Sequence, residues 1–527
     1  MNLLKNKYLM PLILILSGVL TSLPLIFPSI GFIQWVSVIP AALVLIVSSE
    51  DKEVKLRRIY WRGILYFWSF YALSFHWFFC MYPLDFVGLS NAASIAVILV
   101  ACFGLSLLQA GFSAFSFLLF AKITRCEILQ SFGFARPFLA AALYVVAEWF
   151  QTVGWWGVPW GRMPLGQINF MLLLRSSAVF GSYFVTFVMI SVNFGIAYFI
   201  LSGCKQKYFV AAALSTFAIN LALGSLVTVF DQISYARVNV GVAQGNISSS
   251  DKWNEDTLEE TKAIYRDLTL KAANDGADVV IWPETALPYD LFASRHLSEY
   301  VKDLAKEGNV TLIVSAFTED EESGLLANSM IEVKPDGSFG DKIYSKRRLV
   351  PFGEFVPMRG LISVIFPPLA NVGMLEEDLA AGEESVVIAS RSGYIGCGVC
   401  FDSIYETILL DSVNNGAQFI AISTNDSWFG DSAALYMHNS QSRIRAIETG
   451  RYIARSANTG ISSIIDPMGN VVSELGALER GYAVEEIELR NSKTVYSVIG
   501  NAFVYLCMGF PMALLMLDRL GRPSKKK

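Results

Sequence analysis

A thiol, a carboxylate and an ammonium stand out in one stretch of this chain: Cys400 in Gly-Val-Cys-Phe-Asp, Glu284 in Trp-Pro-Glu and Lys346 in Tyr-Ser-Lys-Arg. Acyl transfer without a histidine base needs these three groups. The sulfur attacks a carbonyl and carries the acyl group as a thioester. The carboxylate takes the thiol proton and later one from the incoming nucleophile, while the ammonium stabilises the tetrahedral oxyanion. Taken singly, each residue has a plainer reading. Cys400 is a buried structural cysteine, Glu284 a strand-end cap, and Lys346 part of an exposed basic patch with Arg347 and Arg348. Their occurrence together at strand ends favours the functional reading.

A Cys-His site is the competitor. Residues 236–488 hold only His296 and His438, and His438 shares a helix face with Gln441, Arg445 and Glu448, as a structural polar network does. The Cys397-Gly-Val-Cys400 pair has no second cysteine pair and no thioredoxin-like context, so zinc or redox chemistry is not expected. No metal and no organic cofactor is implied.

The elements that must position these groups follow from periodicity. Strand-like runs cover Val238–Ala243, Ala277–Trp282, Thr311–Ala316, Ser385–Ala389, Tyr394–Val399, Ala417–Ser423 and Gly460–Ile465. In 255–274, Leu258, Tyr265, Leu268 and Ala272 recur as a half-buried helix requires, and a second helix is expected at about 435–449. Strands alternating with helices predict a layered α/β domain. Cys400 then ends a strand just ahead of a helix expected from about Ser403, where backbone amides lower a thiol pKa and hold an oxyanion. Residues 351–380 form an apolar, proline-broken connection with Phe352, Phe355, Leu361, Val364 and Phe366. Such a segment is a functional lid, a disordered stretch, a loop packed on its own domain, or a contact with the lipid interface.

The flanks are of another kind. The 527 residues are 54% hydrophobic and 17% charged, against about 25% charged in globular proteins. Apolar runs of bilayer-crossing length are expected at about 8–27, 30–48, 61–80, 93–121, 137–153, 177–200, 207–230 and 495–517. Lys52, Lys55, Arg57, Arg58, Lys122, Arg125, Arg136, Lys205, Lys207 and the 519–527 tail lie in alternate loops, with Arg162 and Arg175 breaking the pattern. The positive-inside rule then makes both termini cytoplasmic and the soluble segment extracytoplasmic. A net charge of −5 gives no support for nucleic-acid binding. Glu148, inside the fifth expected span, is either functional or a structural tie to Arg162 or Trp149. Trp155, Trp156 and Trp160 read as an interfacial belt.

Residues 236–488 resemble a nitrilase-superfamily (carbon–nitrogen hydrolase) domain, whose Glu-Lys-Cys triad Glu284, Lys346 and Cys400 match in order and approximate spacing. Further matches are Gln244-Gly-Asn, Trp282-Pro-Glu-Thr-Ala-Leu-Pro288, Leu349-Val-Pro-Phe-Gly-Glu354, Asn425-Asp-Ser-Trp-Phe-Gly430, Asn458-Thr-Gly460 and Pro159-Trp160. With seven spans ahead of the domain and one behind it, nearly the whole chain is similar to the membrane-anchored N-acyltransferases of that superfamily. The resemblance implies about eight transmembrane helices plus an αββα sandwich. The domains would be 1–235 in the membrane, 236–488 catalytic, and 489–527 a last helix with a basic tail. It implies transfer of a fatty acyl chain from a phospholipid to the α-amine of a diacylglyceryl-cysteine on a lipoprotein. The enzyme would be a monomer in a bacterial inner membrane, with its catalytic domain on the periplasmic side. Glu354 matches a second, supporting glutamate, and Trp253 and Phe401 match aromatic positions near the acyl chain or the thiol. One departure is Asp402, where the acyltransferases carry Glu; either Asp402 or Glu406 takes that contact. A membrane-tethered amidase using water as acceptor, and a catalytically silent nitrilase-like sensor, are the alternative readings.

Overall fold

The computed structural model describes residues 4, 6–84, 89–127, 129, 133–231, 234, 236–248, 252, 254–365 and 377–521. They form two compact units, Met1–Phe79 with Val97–Phe230 and Ile499–Lys527, and Cys80–Ala96 with Asp231–Val498.

Six helices among the described residues are long and apolar enough to cross a membrane: Leu9–Ile26, Pro28–Glu50, Asn91–Thr124, Ser182–Leu201, Tyr208–Val229 and Ala502–Leu520. The two other expected spans are also helical but fall short of that measure. Leu56–Ser74 carries Arg57, Arg58 and Arg62 in its first two turns, and Arg136–Trp149 has only 14 residues. The apolar run continues past Trp149, but the backbone tightens into a 3-10 turn at Phe150–Thr152 and then meets Gly154, Gly157 and Pro159. Glu148 accepts hydrogen bonds from Met163 N (2.8 Å) and Thr186 Oγ1 (2.6 Å). Trp160 departs from the expected belt, because it is 2% exposed and packs 5.2 Å from the ring of Trp77. The irregular backbone around Pro159 turns it inward.

The second unit holds thirteen described strands: β1 (Arg237–Gln244), β2 (Val279–Ile281), β3 (Leu287–Asp290), β4 (Thr311–Glu319), β5 (Leu326–Val333), β6 (Phe339–Ser345), β7 (Val387–Ser390), β8 (Gly393–Val399), β9 (Phe419–Thr424), β10 (Ile453–Ala457), β11 (Ser462–Ile465), β12 (Val471–Leu475) and β13 (Gly481–Glu488). One sheet runs β13-β1-β2-β4-β5-β6, with β3 on β4; the other runs β12-β11-β10-β9-β8-β7. Parallel neighbours need long crossovers. Here α1 (Leu258–Asn274) joins β1 to β2, α2 (Arg295–Gly308) joins β3 to β4, α3 (Glu406–Asn414) joins β8 to β9, and α4 (Ala433–Thr449) joins β9 to β10.

Alternation along β2 shows why the layers stack. Val279 and Ile281 face the second sheet, meeting Ile395, Cys397, Val399 and Phe419. Val280 and Trp282 face α1 and α2, meeting Tyr265, Leu268, Leu297 and Val301. Both faces are buried, so the strand is apolar throughout rather than alternating with polar residues. Each such side chain contributes about 1.5–3 kcal/mol by leaving water. With α3 on β8 and α4 on β10 and β11, the unit is a nitrilase-like αββα sandwich.

Candidate active site

Three strands that stop at one end of the two sheets deliver the chemistry. Glu284 follows β2, Lys346 follows β6 and Cys400 follows β8. Strand ends can aim side chains out of a packed sheet while the strand itself stays rigid.

Cys400 occupies a left-handed backbone conformation, φ +47°, at the junction of β8 with a 3-10 turn Cys400–Ile404. Such a conformation costs a non-glycine residue on the order of 1–3 kcal/mol, so its surroundings must hold it. Ser403 Oγ donates to Cys400 O at 2.7 Å, and Asp402 Oδ2 accepts from Val399 N at 3.0 Å. The expected helix start at Ser403 is this 3-10 turn, and α3 begins only at Glu406, because Asp402 folds back onto β8. Burial first, then Glu284, pushes the Cys400 thiol well above its ordinary range, and Lys346 draws it partly back. The sulfur therefore rests protonated and needs a base to become a nucleophile.

Lys346 is 1% exposed, which removes the reading of it as a surface patch. Its Nζ donates to Glu284 Oε1 (2.9 Å) and to Glu354 Oε1 (2.8 Å). Burial alone lowers a lysine pKa, but Glu284, Glu354 and Cys400 together raise this one well above normal, so it is a permanent cation. Glu284 is further held by Asn425 N on Oε2 (2.9 Å) and by Asn328 Nδ2 on Oε1 (2.8 Å). Asn328 Nδ2 also reaches Glu354 Oε1 at 3.4 Å, and Val350 N donates to Glu354 Oε2 at 2.8 Å. Glu354 belongs to the 351–380 connection, so the root of that segment is tied into the site. Further along it, the short helix Arg359–Ile365 leaves Leu361 and Val364 exposed. Phe366 lies outside the described residues.

A second buried ammonium was not foreseen. Lys252 Nζ donates to Glu284 O (2.8 Å) and to Thr285 Oγ1. Thr285 has φ +43°, a strained position for a β-branched residue, and its N–H is held by Ser315 Oγ at 3.0 Å. Burial pushes Lys252 down to about 8, against the pull of Glu284 and Cys400. The site thus sets two ammoniums against two carboxylates and one thiol.

The supporting residues separate by position. Asp402 is fully buried and accepts from Tyr344 Oη (2.8 Å), Arg348 N (2.8 Å) and Val399 N, binding the β6 exit to the Cys400 turn. Glu406 instead faces Arg445 Nη1 at 3.2 Å, within the α3–α4 layer. Phe401 is buried against Tyr405, ring centroids 5.4 Å apart. Trp253 lies outside the described residues.

Beneath the nucleophile, His438 Nδ1 is 2.8 Å from Asp426 Oδ1, and its Nε2 is 3.1 Å from Ser403 Oγ and 3.3 Å from Cys400 O. Arg455 Nη2 donates to Asp426 Oδ2 at 2.7 Å. Donor atoms of Cys400, Asp426 and His438 lie within 4.8 Å of one another, a zinc-like set. The Arg455 guanidinium, also 3.1 Å from His438 Nδ1, already supplies the positive charge there, so the set does not fit a metal ion. His438 therefore sits under the thiol as well as on the α4 face read from the sequence. Lys252 had a signal, as a lysine just after Gln244-Gly-Asn; Asn328 had only its polarity within an apolar strand.

A carbon–nitrogen hydrolase family model matches residues 239–495, and the model of the apolipoprotein N-acyltransferase N-terminal domain matches residues 17–195. Curated proteins named apolipoprotein N-acyltransferase align almost end to end. That of Geobacter metallireducens is 28% identical over 96% of this chain and 94% of its own length. That of Gloeobacter violaceus is 27% identical over 94% and 92%, and that of Coxiella burnetii 26% over 93% and 97%. Among solved structures, the C. elegans NitFhit protein covers 52% of this chain and 65% of its own at 19% identity and TM-score 0.39. An amidase from Nesterenkonia covers 52% and 97% at 16% identity and TM-score 0.38.

Proposed function

The chain belongs to the apolipoprotein N-acyltransferase family, and on that premise we propose that Glu284, Lys346 and Cys400 carry its acyl transfer. It is a membrane-embedded N-acyltransferase of lipoprotein maturation. The donor is a phospholipid and the acceptor the α-amine of a diacylglyceryl-cysteine.

As Cys400 Sγ attacks the ester carbonyl carbon, Glu284 takes its proton and the carbonyl electron pair moves to oxygen. The resulting oxyanion lies against the Lys346 ammonium. Collapse breaks the ester C–O bond, and Glu284 returns the proton to the departing lysophospholipid oxygen. In the second half-reaction a neutral α-amine attacks the thioester and Glu284 accepts its proton. The C–S bond then breaks, and the sulfur regains the proton. One observation carries this reading: Lys346 Nζ donates to Glu284 Oε1 at 2.9 Å, and both groups act on the buried Cys400 thiol.

Loop charge supports a topology with both termini in the cytoplasm and the αββα unit on the outer side of the inner membrane. The exposed Leu361 and Val364 suit a lipid-contacting approach for the donor. One chain supplies every group in the scheme, which supports a monomer as the working form. The test is intact mass after exposure of the purified protein to phospholipid. A single fatty-acyl adduct is expected, released by a diacylglyceryl peptide amine, and absent in Cys400→Ala. An adduct of equal yield in Cys400→Ala refutes the nucleophile; discharge by water alone makes the protein a hydrolase.

A further inference from the structure

A groove of about 890 Å³ lies in the first unit. It runs along the helices Leu56–Ser74 and Asn91–Thr124 and is capped by Met10. Its wall is apolar except at one end, where Arg58 and Arg62 line it. These arginines stand four residues apart on one helix face, so their charges repel. Arg62 Nη1 donates to Ser48 Oγ, and the Asp51 carboxylate acts on the same guanidinium through space.

Two further features belong to the same groove. Trp61 stands between the arginines along the helix, as an aromatic ring at the head-group level does, and Trp68 lines the groove about 9 Å further along the axis. Opposite, the Asn91–Thr124 helix widens into a π turn at Val100–Gly104, with Val100 70% and Leu107 51% exposed. π turns recur at functional sites. A topogenic role explains the positive charge, yet Arg57 in the same turn serves that role without lining the groove.

We propose that this groove is a binding site for an anionic glycerophospholipid. Its phosphate sits between Arg58 and Arg62, whose planar guanidiniums match phosphate oxygens, and an acyl chain lies along Val100 and Leu107. On the orientation proposed above, this end of the groove is cytoplasmic, so the bound lipid is not the outer-leaflet acyl donor.

Native mass spectrometry of the full-length protein in micelles doped with equal phosphatidylglycerol and phosphatidylcholine tests this. Wild type should retain one phosphatidylglycerol at about tenfold preference, and Arg58→Gln/Arg62→Gln should lose the preference with acyl transfer unchanged. Gly104→Leu, which adds bulk toward open space beside Val100, should expel both lipids while keeping the arginines. Equal retention of the two lipids by wild type overturns the proposal. So does undiminished preference in the double variant or, should that variant not fold, undiminished retention in Gly104→Leu.

Discussion

Lys252 holds Glu284 by its main chain: the ammonium donates to the Glu284 carbonyl at 2.8 Å and to the hydroxyl of the strained Thr285 next to it. The carboxylate that faces Lys346 is thus aimed from behind. Lys252→Met should lower kcat by about 10–100-fold with little change in KM, the size expected for a misaligned catalytic group. Because burial holds Lys252 down to about 8, its charge is lost above that pH. Activity of wild type should decline above pH 8, and Lys252→Arg, always charged, should carry the profile further into the alkaline range. Burying this lysine costs stability that builds as pH falls from the unfolded value of about 10.4 toward 8 and is constant below that; Lys252→Met removes this cost together with two hydrogen bonds, so Tm should change little.

Asn328 separates two carboxylates that share one lysine. Asn328→Asp places a third acid there, and one of the three must take up a proton. A loss of about 100-fold in acyl transfer is expected, partly recovered at lower pH. Asn328→Ala removes a donor from Glu284 and should destabilise by about 1–3 kcal/mol, read from urea unfolding.

Asp402 and Glu406 should part company by assay. Asp402→Ala leaves the Val399 N–H and the Tyr344 hydroxyl buried without this acceptor, at about 1–3 kcal/mol each, and loosens the turn that bears Cys400. Both stability and thioester formation should fall. Glu406→Gln weakens the ion pair to Arg445 in the α3–α4 layer, so stability should fall while the rate of thioester formation per folded molecule holds.

Arg455 governs acid sensitivity. Burial works to raise the Asp426 carboxyl, but Arg455 and His438 hold it far below the usual carboxylate range. A depressed carboxyl adds stability above its unfolded pKa of about 3.9, and that stability is lost as pH falls toward its folded value. Arg455→Met should cost about 3–5 kcal/mol at pH 7, because an uncompensated buried charge remains, and progressively less in acid. The exposed Arg266–Glu307 pair is the control: Arg266→Ala should cost no more than about 1 kcal/mol.

Much of the fold was legible because burial leaves a local trace. Period-two and period-3.6 patterns marked β1, β4, β8, β9, α1 and α4 to within a few residues. The short β3, the polar-interrupted β5, β6 and β10, and the half-exposed β12 and β13 carry a weaker apolar signal and were not anticipated. Composition also carried the span at 137–153 past the α-helix, since hydropathy does not register a backbone that tightens into a 3-10 turn after Trp149. Trp160 shows the same limit, as an indole reads alike in an interfacial belt and in a core.

The sequence alone determined that a membrane-embedded α/β protein offers a thiol, an acid and an ammonium at strand ends, because side-chain chemistry and short-range periodicity are properties of neighbouring residues. Only the tertiary structure decided that Lys346 bonds to Glu284, 62 residues away, and that Lys252, Asn328 and the Asp426–His438–Arg455 cluster surround the same site. Those contacts arise where two sheets end together, and the free energy that places them comes from packing the apolar faces between.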